Sequence, residues 1–441
     1  MASVSNPPSN TARSSKKRVV SEVEETEADA EADGAMNPPK VTKIHPFFTK
    51  QSQATSAASS QFQWLTPSLG PKRTCLHGIS LFPPCHAKVA ALDLDGTVIK
   101  WDKNRGKGTT WEWWRNVVPS KMRTLHQDGY SVVLISNQAL KLERLTEWKK
   151  KIPQIAAALP DVPFRILAAS AKDGYRKPMP GMWTELERIF KEHGVEINKE
   201  SSFFVGDAAG RPNDFASTDR KWALNVGIPF YTPEEYFLDL PSALYKLPGF
   251  HVSSLPAMEP TTPSDAVILP DPPTQELVIF TGYPCLGKSS FYRRHFSPAG
   301  YVHINQDTLG SRQKCMKAAE EALKTKKSVV VDNTNRDAST RKYYLDLAKK
   351  HKVRARCFCF TGSTDLAWHN NLYRAYVKPA PAGTEPRRDV LPYLAFIGFR
   401  DNYEEPQLSE GFSDVIKINW VFEGDEDTRR QWSMWLQIDG K

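Results

Sequence analysis

Two aspartates, separated by one residue, stand at the end of an apolar run. Val89–Leu94 reads as a buried strand, and Asp93 and Asp95 close it before the turn residue Gly96. A parallel strand delivers such side chains to the carboxyl edge of its sheet, where ligands bind in open α/β folds. Asp93 can attack phosphorus as a nucleophile, and Asp95 can protonate the leaving alkoxide and then activate water. The pattern indicates phosphoryl chemistry, with Mg²⁺ offsetting the clustered charge.

Three later segments each place a polar group where a predicted strand ends. Ser136 and Asn137 follow one strand, Lys177 lies in the string YRKP at 175–178, and Asp207 follows the strand at 203–205. A hydroxyl and a cation suit phosphate oxygens, and a further carboxylate suits a metal ion. Asp214 or Asp219 could support Asp207, or could equally cap a helix or lie in a solvated loop.

In order and spacing, these four segments resemble the haloacid dehalogenase superfamily of phosphatases. The resemblance implies that Asp93 is the nucleophile and Asp95 the acid and base. It further implies that the phosphate-binding residues are Thr97, Ser136, Asn137 and Lys177. The magnesium ligands that it implies are Asp93, Asp95 and Asp207.

A second chemical motif follows the predicted strand Leu277–Thr281. Residues 282–289 read GYPCLGKS, a full match to the phosphate-binding P-loop between a strand and a helix. Gly282 and Gly287 allow backbone N–H groups to surround phosphates, and Lys288 offsets the phosphate charge. Ser289 can hold magnesium, and Ser290 completes the predicted ATP site.

A kinase must also activate an acceptor hydroxyl. Asp307 lies a short distance beyond the first predicted helix and can accept that proton. The strand at 328–331 leads into residues 332–335, DNTN, which suit magnesium or the acceptor. Arg374, assigned to the ATP site, and Arg341 could supply cations to the transferring phosphoryl group, or could each lie on a solvated helix face.

Short apolar runs that alternate with helical stretches predict two doubly wound parallel-sheet α/β domains in series. We expect a disordered tail at 1–70, a phosphatase domain at 71–240, a linker that partly packs on the surface at 241–274, and a kinase domain at 275–441. Trp101, Trp111, Trp113 and Trp114 follow the first strand; unpaired bases could stack on them, although core packing is favoured for at least two.

The net charge of +9 favours anionic partners, and no stretch has the length and apolarity of a membrane span. In the tail, the basic cluster Lys16–Arg18 indicates nuclear localisation, although solvated tails often carry such clusters. The plug Ile44–Phe48 could bind a sliding clamp or pack on its own protein. Six cysteines suit a reducing compartment, and the Cys and His residues at 75–86 lack a zinc spacing.

A haloacid dehalogenase-like phosphatase, followed by a P-loop kinase containing DTLG at 307–310 and DNTN at 332–335, resembles the polynucleotide kinase 3′-phosphatase family of DNA-end repair enzymes. The resemblance implies Mg²⁺, ATP and DNA ends bearing 3′-phosphate and 5′-hydroxyl, with Asp307 as the base. A repair scaffold or ligase could bind through the N-terminal tail, and nothing in the sequence demands more than a monomer. The forkhead-associated domain of animal members is not expected in the short polar tail.

Two other readings use the same motifs. A metabolic phosphatase fused to a small-molecule kinase would need both sites. Such an enzyme needs a cap that closes over its substrate, whereas a DNA enzyme needs a track of basic residues beside each cleft. A non-catalytic repair scaffold would not need to retain both complete sets of residues. The positive charge and the intact motifs favour the DNA-end enzyme.

Overall fold

The computed structural model describes residues 61–101, 110–378 and 389–438. The predicted localisation cluster at 16–18 and the apolar plug at 44–48 lie outside these residues. Within them, no helix has the length and apolar character needed to cross a membrane.

The first domain is built on a seven-stranded sheet with the order β1-β2-β5-β4-β3-β6-β7. Strands β5, β4, β3, β6 and β7 run parallel, and β2 pairs antiparallel with both β1 and β5. The strands are β1 (Phe62–Leu69), β2 (Cys75–Ser80), β3 (Val89–Leu92), β4 (Ser131–Asn137), β5 (Phe164–Ala169), β6 (Phe203–Val205) and β7 (Phe230–Tyr231).

Helices α1 (Val118–Gln127), α2 (Leu142–Ala157), α3 (Gly181–Glu192), α4 (Thr218–Val226) and α5 (Pro233–Leu238) accompany this sheet. Both of its faces are buried. In β3, Ala90 and Leu92 join one hydrophobic cluster, whereas Val89 and Ala91 join another. This two-sided burial explains why the central strands read as continuous apolar runs.

The second domain is built on a six-stranded sheet with the order β10-β11-β9-β12-β13-β8. All neighbours are parallel except the short β8, which pairs antiparallel with β13. The strands are β8 (Thr261–Thr262), β9 (Glu276–Thr281), β10 (Val302–Ile304), β11 (Val329–Asp332), β12 (Arg354–Thr361) and β13 (Asp414–Asn419).

Its helices are α6 (Lys288–Phe291), α7 (Gln306–Leu309), α8 (Arg312–Lys324), α9 (Ala338–His351), α10 (Thr364–Leu372), α11 (Tyr393–Arg400) and α12 (Glu426–Trp432). One-turn π-helices extend α6 through Tyr292–Phe296 and α10 through Tyr373–Val377. The described structure therefore contains the two expected α/β sheets, each mostly parallel.

Two expected boundaries differ from the structure. The predicted tail at 1–70 is wrong for residues 62–69, because β1 forms an edge strand of the first sheet. An edge strand buries few side chains, here chiefly Phe62, so its sequence lacks a strong apolar pattern. The predicted linker at 241–274 contributes β8 to the second sheet, so part of it belongs to the second domain.

A buried ion pair fixes the start of the second sheet. Arg356 on β12 donates to both carboxylate oxygens of Glu276 on β9, at 2.7 and 2.6 Å, and both side chains are almost fully buried. Arg356 also donates to the carbonyls of Val267 and Ile268, and Tyr301 donates to Glu276. Removing one partner of such a pair leaves a charge buried without compensation.

We expect Arg356→Met to lower the free energy of unfolding of the second domain by about 3 kcal/mol or more, because Glu276 loses its counter-charge. The matched control is Arg294→Met, which breaks the exposed pair with Glu423 and should cost less than about 1 kcal/mol. Chemical denaturation followed by tryptophan fluorescence measures both. Equal effects of the two variants would contradict this assignment.

Candidate active sites

The first site lies where β3 and β6 end. The main-chain N–H of Asp93 donates to the carbonyl of Val205 at 2.8 Å, which continues the pairing of β3 with β6. This pairing fixes the buried Asp93 side chain at the carboxyl edge of the sheet. There the ammonium of Lys177 lies 2.5 Å from Oδ1 of Asp93 and 2.7 Å from Oδ1 of Asp219.

Lys177 is 1% exposed and donates a further hydrogen bond to the carbonyl of Ile135 at 3.1 Å. Burial alone would lower the pKa of Lys177, but the carboxylates of Asp219 and Asp93 outweigh it and raise the pKa above its usual value. The two carboxylates therefore favour the charged form of this side chain.

Three carboxylates in this site can hold a metal ion. Asp93, Asp207 and Asp219 each offer an oxygen, and these oxygens lie within 4.8 Å of one another. Burial and the nearby Asp219 carboxylate raise the pKa of Asp207 to about 7. Hard oxygen donors with excess negative charge fit Mg²⁺. The carboxylate of Asp95, which the sequence also assigned to magnesium, is not part of this group.

Two glycines permit this close packing. Gly96 has a φ of +94°, and a Cβ at this position would lie 2.2 Å from Oδ2 of Asp207. A Cβ at Gly206 would lie 2.5 Å from Oδ2 of Asp219. At both positions the main chain passes too close to a candidate metal ligand for any side chain.

Asp95 is placed by a residue that the sequence reasoning missed. Nε2 of the buried Gln138 donates to Oδ2 of Asp95 at 2.5 Å and to Oγ of Ser136 at 3.0 Å. Gln138 therefore links the predicted acid and base to the predicted phosphate-binding hydroxyl. Its position directly after Ser136 and Asn137 at the end of β4 was the available signal.

Two predicted phosphate-binding residues have other surroundings. The side chain of Asn137 holds the main chain of Lys177: Oδ1 accepts from the Lys177 N–H at 2.9 Å, and Nδ2 donates to its carbonyl at 3.2 Å. Thr97 is fully buried, and within the described ranges its hydroxyl has no hydrogen-bond partner. The geometry thus gives Asn137 a positioning role and keeps Thr97 away from the open surface.

The two uncertain aspartates have different roles. Asp219, in the first turn of α4, is 2% exposed, binds Lys177 and accepts from the Ala208 N–H at 3.0 Å. Asp214 accepts from the N–H groups of Ala209 and Arg211 and pairs with the Arg211 side chain, so it closes the loop. Asp219 therefore lies in the site, in line with one of the two alternatives that the sequence left open for it.

The second site is the P-loop between β9 and α6. Gly282 has a φ of +145°, and a Cβ there would lie 2.7 Å from the Phe360 carbonyl; Gly287 has a φ of +87°. The ammonium of Lys288 donates to the carbonyls of Gly282 and Tyr283 at 2.9 and 2.6 Å. Burial lowers the pKa of Lys288 to about 8, so bound phosphates would favour its charged form.

Asp332, at the end of β11, lies against this loop. Burial alone would raise its pKa, but hydrogen bonds from His303 and Ser289 outweigh it and lower the pKa. The His303 contact measures 2.9 Å. Ser289 and Asp332 together fit a magnesium ion beside the phosphates of a nucleotide.

Asp307 is exposed on α7, near Asp332. The side chain of Asn305 connects them: it accepts from the Asp307 N–H at 2.8 Å and donates to the Asp332 carbonyl at 2.7 Å. Beside α7 lies a pocket of ≈ 200 Å³, and its lining includes Arg312 and Arg336. The lining is polar and also includes Asp337, which pairs with Arg336, so the two arginines leave it with a net positive charge that suits an acceptor carrying phosphates.

The remaining predicted residues lie as follows. Arg374 donates to Asn371 at 3.2 Å, and Asn371 also contacts Cys285 of the P-loop, so Arg374 is beside the nucleotide site. Ser290 is exposed and accepts from Arg293. Arg341 is neither a lid cation nor solvated: it is fully buried and paired with Glu410 at 2.7 and 2.8 Å.

The tryptophans near the first site pack mainly in the core. Trp114 is buried, and Trp111 and Trp113 pack against the same hydrophobic cluster, whereas Trp101 is 50% exposed. The preference for core packing of at least two is therefore confirmed.

Among the described residues, the carboxylate group at Asp93 is the one found with metal-binding geometry, and Cys75 and Cys85 form no disulfide.

Comparison with known proteins agrees with both sites. A family model described as polynucleotide kinase 3 phosphatase matches residues 88–237, and one described as AAA domain matches residues 277–385. A bifunctional polynucleotide phosphatase/kinase of Schizosaccharomyces pombe is 36% identical over 356 residues, covering 79% of this chain and 83% of that protein. Polynucleotide 3′-phosphatase ZDP of Arabidopsis thaliana is 33% identical over 167 residues, covering 34% of this chain and 24% of that protein.

The chain is therefore an enzyme that joins a haloacid dehalogenase-like phosphatase domain to a P-loop kinase domain. More specifically, it belongs to the family of bifunctional polynucleotide phosphatase/kinases.

We expect Gly96→Ala to lower phosphatase activity by about 100-fold or more, because the new methyl group displaces Asp207 from the metal-binding group. The matched control is Gly129→Ala, which has a φ of +77° but space for a Cβ. Phosphate release is measured over a range of Mg²⁺ concentrations, with kinase activity as the test of folding. Similar phosphatase activity in both variants would contradict the proposed crowding.

Proposed function

We propose that this enzyme removes 3′-phosphates from DNA strand breaks and transfers the γ-phosphate of ATP to their 5′-hydroxyls. This proposal rests on the observation that one chain holds two phosphoryl-transfer sites. In the first, the buried Asp93 contacts Lys177 and lies among further carboxylates. The second is a complete P-loop at Gly282–Ser289. The family to which the chain belongs supports a polynucleotide substrate over a small metabolite.

In the proposed phosphatase reaction, Asp93 attacks the 3′-phosphorus and forms a phospho-aspartyl intermediate. Asp95 donates a proton to the departing 3′-oxygen and then takes one from the water that hydrolyses the intermediate. Gln138 orients Asp95 for both steps. Lys177 neutralises charge on the phosphoryl group, and the Ser136 hydroxyl, which accepts from Gln138, donates to a phosphoryl oxygen.

Asp93, Asp207 and Asp219 would hold the magnesium ion of this site. When bound, Mg²⁺ supplies positive charge to the phosphoryl oxygens and lowers the repulsion between the nucleophile and its anionic substrate. Asp93 and Asp219 share the single ammonium group of Lys177, so a bound cation would add positive charge that the three carboxylates need.

In the proposed kinase reaction, the backbone of the P-loop and Lys288 bind the phosphates of ATP, and Ser289 and Asp332 hold magnesium. Asp307 accepts the proton of the DNA 5′-hydroxyl as it attacks the γ-phosphorus. The exposure of Asp307 and the neighbouring cationic pocket suit a bulky polynucleotide acceptor. Arg374 adds positive charge to the transferring group.

The substrate class is tested with three acceptors in magnesium and ATP: a nicked duplex with 3′-phosphate and 5′-hydroxyl ends, the corresponding single strands, and a panel of sugar phosphates. We expect turnover of both DNA ends and little of the sugar phosphates, because the kinase acceptor side is open and cationic. Turnover of sugar phosphates but not DNA would support the metabolic reading and overturn the proposal.

A covalent intermediate gives a second test. Acid quenching during turnover of a 3′-[³²P]phosphorylated oligonucleotide should leave label on the protein, and hydroxylamine should release it, because an acyl phosphate is labile to that nucleophile. Asp93→Asn is expected to abolish labelling. The kinase variant Lys288→Met should label like wild type, since its change lies in the other site. Undiminished label in Asp93→Asn would exclude Asp93 as the nucleophile.

The cellular setting remains part of the proposal. A DNA-break substrate and the basic cluster at residues 16–18 favour action in the nucleus. The apolar plug at 44–48 is the proposed contact for a clamp, ligase or scaffold. The described residues satisfy both sites within one chain, which is consistent with a monomer.

A further inference from the structure

The loop that carries Lys177 is bound by the last described residues of the kinase domain. We call residues 433–438 the C-terminal segment. Arg176, directly before Lys177, donates from Nε to the carbonyl of Ile438 at 3.2 Å. Met179, two residues after Lys177, is fully buried in the hydrophobic cluster that includes Leu436 and Ile438. Residues on both sides of the phosphatase lysine therefore contact the kinase domain.

One side chain joins these two segments. Nδ2 of Asn225 donates to the Pro178 carbonyl at 2.8 Å and to the Trp435 carbonyl at 2.7 Å, and its Oδ1 accepts from the Trp435 N–H at 2.8 Å. Both amide hydrogens and the amide oxygen are thus used. The bonds tie the residue after Lys177 directly to the C-terminal segment.

Asn225 is on α4, the helix whose first turn carries Asp219. Asp219 accepts from the Lys177 ammonium, so α4 contacts both the head group of Lys177 and the main chain beside it. Lys221, on the same helix, donates to the Pro248 carbonyl at 2.5 Å and lies 4.5 Å from the centre of the Trp435 ring. Lys221 and Asn225 of this helix therefore both contact Trp435 of the C-terminal segment.

We propose that Asn225 is a positioning residue of the phosphatase reaction: it uses the C-terminal segment of the kinase domain to hold the loop that places Lys177 against Asp93. The inference rests on the proposed phosphatase function. Two amides hold this loop, Asn137 on Lys177 itself and Asn225 on Pro178. A displacement of about 1 Å at a catalytic group can cost about 100-fold in rate, so the second amide bears directly on the rate.

The first test is Asn225→Asp in the full chain. The carboxylate has the shape of the amide and can still accept from the Trp435 N–H. It has no hydrogens to donate to the carbonyls of Pro178 and Trp435, so its oxygen lone pairs face theirs. We expect the phosphatase kcat to fall about tenfold or more, with KM for the 3′-phosphorylated strand within about twofold. Kinase kcat, measured on the same sample, should not change. Asn225→Ala, which adds no charge, should show the same pattern.

The matched control is Gln437→Glu. It makes the same chemical change in the C-terminal segment, but its Nε2 donates to the Phe250 carbonyl at 2.9 Å, away from the Lys177 loop. Both activities of Gln437→Glu should stay within about twofold of wild type. An equal loss in this control would show that the segment has only a general structural effect and would overturn the inference.

A double-mutant cycle tests whether Asn225 acts through Lys177. In the background Lys177→Met, the Asn225→Asp change should cause no further loss of the residual phosphatase activity. The inference would be overturned if the losses from the two substitutions multiplied. It would also be overturned if the phosphatase kcat of Asn225→Asp stayed within twofold of wild type, or if both activities fell equally. A wild-type enzyme without phosphatase activity on any substrate would instead overturn the proposed function.

Discussion

The buried Lys177 ammonium, shared by Asp93 and Asp219, is the interaction on which the phosphatase domain depends. A lysine is tolerated in an interior only where opposite charges and hydrogen bonds replace water, and Lys177 has two carboxylates and a carbonyl. The carboxylates would otherwise repel one another and raise the free energy of the fold. The pair of ion contacts thus supplies part of the charge balance that a bound metal ion would complete.

This constraint explains the architecture around the site. Asp93 comes from the end of β3, Asp207 from the end of β6 and Asp219 from the first turn of α4. Parallel pairing of β3 with β6 brings the first two together, and the main chain at Gly96 and Gly206 must then pass close to the acids. Strand pairing and ion contacts within the fold hold these acids in place, and such positioning lowers the entropy cost of catalysis.

The kinase site has a different character. Its proposed base Asp307 is exposed, and its P-loop lysine bonds to carbonyls of its own loop. A polynucleotide end would approach this site from solvent, whereas the proposed nucleophile Asp93 lies within a buried charge network. One chain therefore combines a buried hydrolytic centre with an open phosphoryl-transfer centre, and the Asn225 contacts join the two domains next to Lys177.

The sequence predicted those features that short-range patterns encode. The central strands, the P-loop and the placement of Asp93, Lys177 and Asp207 follow from apolar runs that end in chemically competent residues. The sequence left two alternatives open for Asp219, because an acid in the first turn of a helix is also a common cap. The role of Gln138 and the contacts of Asn137 could not be predicted, because their hydrogen-bond partners lie about 40 positions away in the sequence. The edge strand β1 was missed because it buries chiefly Phe62, so its sequence lacks the continuous apolar run of the central strands.

The most direct test of two separate centres is one assay on a nicked duplex with 3′-phosphate and 5′-hydroxyl ends, in magnesium and ATP, with both ends followed. Wild type should convert both ends, Asp93→Asn only the 5′ end, and Lys288→Met only the 3′ end. Loss of both conversions from either single substitution in a folded protein, or conversion of both ends by Asp93→Asn, would contradict the account.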